Sequence, residues 1–151
     1  MPRSDLARRY GPGVHEHTRR MVEAAGLSYD PSPKLPNTLN ALLVTELARE
    51  QGLHDAVHHR LMHGYWSEQK DLADEETLLD LVEEGGLDRA EAAAAIAERR
   101  YSDRVIASTQ EANRLGINAI PAFVLDNRLL VLGAQPEEAF EQAVAQLEGP
   151  S

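Results

Sequence analysis

Apolar residues recur at helical spacing along most of this chain and gather into unbroken runs only near its end. Leu39, Leu42, Leu43, Leu47 and Ala48 form one stripe, on a helix that Asn37 or Thr38 caps and Gly52 breaks. Leu53, Val57, Leu61 and Tyr65 make an i, i+4 ladder on a second helix, running to about Trp66. Leu78, Leu79, Leu81 and Val82 follow the capping residue Asp74 and stop at Gly85-Gly86. Asp88 and Glu91 are a capping-box pattern opening an Ala-rich helix. A further helix is predicted from Ser102 or Asp103 to Leu115, with Val105, Ile106, Ala112 and Leu115 on one side. Upstream, Val14 to Ala25 reads as a helix closed by Gly26. Residues 4–10 read as a short helix capped by Ser4 and broken at Gly11-Pro12-Gly13. Asp30 to Pro36 is a proline-stiffened connector.

The pattern changes at Gly116. Ala122 to Leu125 and Leu129 to Leu132 are apolar throughout, and Asp126-Asn127 between them tolerates the positive φ of a tight turn. Pro136 opens a last helix reaching Leu147, with Phe140, Val144 and Leu147 predicted inward. Strands without alternation suit burial on both faces. Yet no other strand is evident, and a lone hairpin is marginal in water and leaves an unpaired edge. The expected fold class is therefore α+β, mostly helical, with six or seven helices and one antiparallel hairpin, in a single domain over residues 1–151.

Ile120-Pro121 stands just before the first predicted strand. From spacing alone the proline either starts an edge strand or sits in a cis peptide. The surrounding residues carry a resemblance. Asn118 to Val124, Asp126-Asn127-Arg128 and Gly133-Ala134-Gln135-Pro136 resemble the C-terminal end of DsbA-like thioredoxin-fold proteins, and most of all their FrnE-like branch. Pro36-Asn37-Thr38-Leu39-Asn40-Ala41, Gln51-Gly52, Tyr65-Trp66 and Leu87-Asp88 then fall in that family's order, so that the likeness spans most of residues 4–147. The family's histidine after the alanine is Leu42 here.

The resemblance implies that Pro121 is cis and faces a redox centre, and that the backbone of Ile120 binds an extended peptide or thiol substrate. It implies a helical insert over 4–115, followed by the cis-proline loop, hairpin and terminal helix over 116–147. The match begins after the family's N-terminal β-α-β unit and its redox motif. The expectation is thus an incomplete thioredoxin-like domain, with the first hairpin strand lying where the earlier strands would pair.

Composition sharpens this. The 151 residues contain no cysteine, which excludes a disulfide, a thiolate metal site and any Cys-x-x-Cys dithiol within them. A net charge of −10 disfavours nucleic acid and anionic membrane as partners. No run approaches the roughly 18 apolar residues of a membrane span, and no apolar segment follows the first residues as in a signal peptide. The expected address is cytoplasmic.

Other clusters read as structural. His54/His58 and His59/His63 are i, i+4 pairs at a zinc-compatible spacing, but no third ligand is evident, so a solvated helix face is expected for them and for His15 and His17. Acidic groups at Asp74-Glu75-Glu76, Glu83-Glu84 and Glu137-Glu138 mostly fall in first turns of helices. Ser102 and Ser108 lack a nucleophile-elbow context. Tyr65 and Trp66 either anchor the helical insert or shape a ligand groove.

The sequence thus yields substrate-binding candidates at Ile120 and Pro121, no catalytic residue, no metal ligand and no cofactor. The leading expectation is a DsbA/FrnE-family oxidoreductase relative without dithiol activity of its own. Its alternatives are a non-catalytic assembly module pairing through the hairpin edge, with a second copy or a strand-donating chain, and a relative of glutathione-linked isomerases and transferases.

Overall fold

Capping chemistry starts the helices where the sequence places it. Asp74 Oδ2 accepts from the Thr77 N–H at 2.9 Å and Asp88 Oδ1 from the Glu91 N–H at 2.8 Å. Glu91 does not complete the expected capping box. Its carboxylate accepts from the Gln51 side chain instead, at 2.8 Å. Asn37 Oδ1 accepts from the Leu39 N–H at 3.0 Å, two residues ahead of the helix it serves.

The computed structural model describes residues 14–149, with side chains from residue 16 onward. The predicted helix over 4–10, its Gly11-Pro12-Gly13 break and the side chain of His15 lie outside the described residues. The elements are α1 (Val14–Ala24), α2 (Leu39–Glu50), α3 (His54–Ser67), α4 (Glu75–Glu84), α5 (Arg89–Ala97), α6 (Ser102–Arg114), β1 (Ala122–Leu125), β2 (Leu129–Leu132) and α7 (Glu137–Glu148). This is a mostly helical α+β chain. Among the described residues no helix is long and apolar enough to cross a membrane.

Two compact units divide at Val105/Ile106, within α6. In the first, α2 packs on α3, α4 and α5, and α4 packs on α3 and α5. Leu43, Val44, Val57, Leu78 and Val82 are wholly buried in this core. The stripe on α2 is rotated from the predicted one. Leu42 is 46% exposed, whereas Val44 is fully buried. Three helices cover α2, and they take a wider face than the leucines alone mark out.

Small residues let the helices meet closely. Ala92 and Ala95 of α5 are fully buried. A Cβ on Gly64 would stand 3.1 Å from the Leu81 side chain, and one on Gly85 would stand 2.9 Å from Val57 Cα. Gly85 therefore does more than end α4: it admits the α3 backbone. The buried Tyr101 hydroxyl donates to Glu50 at 3.2 Å, and burial together with that carboxylate holds its pKa above the usual value.

In the second unit β1 and β2 pair antiparallel, with Ala122 opposite Leu132 and Leu125 opposite Leu129. Asp126 and Asn127 both have positive φ, 52° and 51°, and Arg128 joins them in the loop as its N–H donates to the Leu125 carbonyl. Helix α7 packs on β2, and Phe140 meets Phe123 edge-on, ring centroids 4.9 Å apart. Ala143 is the buried residue of α7, whereas Val144, predicted inward, is 45% exposed. None of the eight strand residues is fully buried. Their apolar character calls for more cover than α7 supplies.

Candidate functional site

The Ile120–Pro121 peptide bond is cis. The Pro121 carbonyl accepts from the Gly133 N–H at 2.7 Å, which ties the cis bond to the far end of β2. Gly133 has φ +80°, a backbone conformation that side chains disfavour and glycine adopts freely. Ile120 is 89% exposed, an unusual setting for a β-branched apolar side chain beside a fixed bend.

That one hydrogen bond fixes the parity of the hairpin. Residues opposite each other in an antiparallel pair alternate between exchanging hydrogen bonds and not doing so. Pro121–Gly133 is a bonded pair, so Phe123–Val131 is the next, and Ala122 and Val124 turn their N–H and C=O groups to the outer edge of β1. Among the described residues no backbone group outside the hairpin bonds them. The outer edge of β2 is different. There Gln135 Nε2 donates to the Leu132 carbonyl at 2.8 Å and caps that one group. The loop and β1 together present an exposed apolar side chain, a bend and two outward amides in a row. Such an edge can add an extended chain by strand pairing.

A second concavity lies within the first unit, between α1 and α3. The last carbonyls of α3 have no helical partner, and the connector supplies one. The Asp30 N–H donates to the Trp66 carbonyl at 2.7 Å and the Ser32 N–H to that of Tyr65 at 3.3 Å. This lays Tyr29 on Trp66, ring centroids 5.9 Å apart and nearly parallel, while Tyr65 meets Trp66 edge-on at 4.8 Å. Val22, Leu27 and Met62 complete the apolar wall of a cavity of about 320 Å³, with His59 and His63 on it. Sequence periodicity does not reveal this cavity, because Tyr29 comes from an aperiodic segment. Trp66 was its one visible signal.

The histidines otherwise stand as surface groups. His54 stacks on His58 at 5.5 Å, and His63 Nδ1 meets Glu68 at 2.9 Å. Glu68 also accepts from Arg60 at 2.9 Å, and that guanidinium holds its carboxyl below the usual range. Among the described residues no group of three His, Asp or Glu is placed to hold a metal. Two of the three acidic clusters, around Glu76 and at Glu83-Glu84, have structural partners. Glu84 pairs with Arg60 at 2.5 Å, while Glu76 and Asp80 both pair with Arg89 at 2.6 Å.

With this geometry in place, comparison with known proteins decides the family. The family model for the DSBA-like thioredoxin domain matches residues 1–145. The chain belongs to the DSBA-like thioredoxin family. No curated protein matches it in sequence. Among solved structures it is similar to a probable DsbA oxidoreductase from Streptomyces coelicolor, at 31% identity and a TM-score of 0.88. The likeness covers 100% of this chain and 69% of that one. Within the DSBA-like family, the helices, the small antiparallel sheet and the bend before β1 among the described residues are this chain's version of the fold. The 151 residues contain no cysteine.

Proposed function

We propose that this chain serves as the substrate-holding part of a DsbA-family oxidoreductase system, gripping an extended peptide along Ile120 and β1 without exchanging disulfides itself. The observation that carries this reading is the outward row of backbone groups at Ala122 and Val124 directly after the cis Ile120–Pro121 bond. Strand addition gives affinity through main-chain hydrogen bonds, and Ile120 offers an apolar contact at the mouth of the row. The missing dithiol supports a binding role over a transfer role, since thiolate is the attacking group in disulfide exchange. The ordered Pro36-Asn37-Thr38 and Gly133-Ala134-Gln135 motifs favour the FrnE-like branch within the family.

The test pairs binding with turnover. An extended cysteine-containing peptide, titrated into isotope-labelled protein, is expected to shift the amide signals of Ile120, Ala122 and Val124. Glutathione at the same concentrations is expected to leave them in place. Purified chain is expected not to accelerate dithiol oxidation. Catalysed oxidation, or peptide shifts that avoid the β1 edge, would overturn the reading.

A second reading is assembly. Phe123 and Val124 are 40% and 42% exposed beside the open amides, and an apolar open edge invites pairing with a second copy. The two readings use one surface and separate on whether the edge is occupied before peptide is added.

A further inference from the structure

We propose that the cavity between α1 and α3 binds a small neutral aromatic alcohol, stacked within the Tyr29–Trp66 wall with its hydroxyl on His63. The cavity's lining residues all lie in the unit ending at Val105.

Charge selects the ligand first. The chain has 26% charged residues and a net charge of −10, yet no described residue lining the cavity is Asp, Glu, Lys or Arg. The charges that border it are already engaged, Arg19 over the Tyr29 ring at 5.4 Å and paired with Glu23, and Glu68 with Arg60 and His63, so a charged ligand would lose hydration there without gaining a free counter-charge. Shape comes next. Trp66 is braced on two sides, nearly parallel to Tyr29 and edge-on to Tyr65, so the aromatic wall is fixed before a ligand arrives. Ring faces of this kind favour a flat, apolar guest. The volume of about 320 Å³ stands at the small end of ligand pockets and suits one or two rings.

The polar group follows from His63. Its Nδ1 lies 2.9 Å from Glu68 Oε1. Arg60 holds Glu68 in its carboxylate form, which can only accept, so Nδ1 carries the hydrogen. In the neutral ring Nε2 is then an acceptor. A ligand group meeting it must be a donor, and an aromatic hydroxyl supplies one at the edge of a flat ring. Ethers and ketones of the same shape lack that donor.

Trp66 is the chain's one tryptophan, so its emission reports on this cavity alone. The probes are 4-ethylphenol and its methyl ether, 4-ethylanisole, titrated at pH 8 with excitation beyond the tyrosine and phenol bands. Saturable change with 4-ethylphenol is expected, and about tenfold weaker binding of the ether, the size of one hydrogen bond. His63→Phe is expected to bring the phenol down to the level of the ether while leaving the ether unchanged. His63 is half exposed, so this variant removes little packing. Should the variant fail to fold, the two probes on the unmodified chain still decide the matter. Equal affinity for both probes, or change that is linear up to millimolar concentrations, would overturn the proposal. Peptide binding at Ile120 is read at other residues and succeeds or fails independently.

Discussion

Gln135 Nε2 donates to the Leu132 carbonyl at 2.8 Å, so the outer edge of β2 is capped at that group by its own chain, while the outward groups of Ala122 and Val124 on β1 carry no such cap. The asymmetry directs any added strand to β1. Val124→Pro tests it cleanly. Val124 lies in a non-bonded pair with Leu130, so losing its N–H leaves the hairpin ladder intact. The variant is expected to keep its circular dichroism spectrum and lose both peptide binding and self-association, read by sedimentation. Unchanged association would mean that another surface carries it.

The contact between Gly85 and Val57 sets a stability prediction. Gly85→Ala places a methyl group 2.9 Å from the Val57 Cα, so one of the two helix backbones must shift. Overpacking of this kind costs about 1–3 kcal/mol in chemical denaturation. A cost below that range would show that α3 and α4 can slide apart.

Leucines adjacent in sequence should differ sharply. Leu43 is fully buried and Leu42 is nearly half exposed. Leu43→Ala is expected to cost about 2–5 kcal/mol, the range for a buried leucine whose site cannot collapse. Leu42→Ala should lie nearer the roughly 0.5 kcal/mol of surface changes. Equal costs would restore the stripe that the leucine spacing suggests.

Acid should destabilise the first unit through identified carboxylates. Thr77 donates to Asp74 from its hydroxyl and its backbone, and this depresses the Asp74 pKa; Arg60 does the same for Glu68. A group depressed on folding binds fewer protons in the native state, so stability is full above the ordinary carboxylate pKa of about 4 and falls as pH drops through the lower native value. Asp74→Asn retains a capping oxygen but removes the titration. It is expected to flatten part of the acid limb of the melting-temperature profile. An unaltered limb would place the acid sensitivity elsewhere.

Sequence by itself determined the elements whose causes are local. Asp74 and Asp88 start helices, Asp126-Asn127 turns the hairpin, and the two apolar runs give the observed strands, because capping, φ preference and side-chain period act within a few residues. The bend at Ile120-Pro121 was visible only through family likeness, since X-Pro spacing leaves both isomers open. Tertiary structure alone decided the rest. Val44 is buried in place of Leu42 because three helices cover α2. Tyr29 reaches Trp66 because the connector satisfies the terminal carbonyls of α3. The open amides of β1 follow from one bond between Pro121 and Gly133. Each depends on partners distant in the chain, and burial, cavity shape and edge parity are properties of the meeting surfaces rather than of either segment alone.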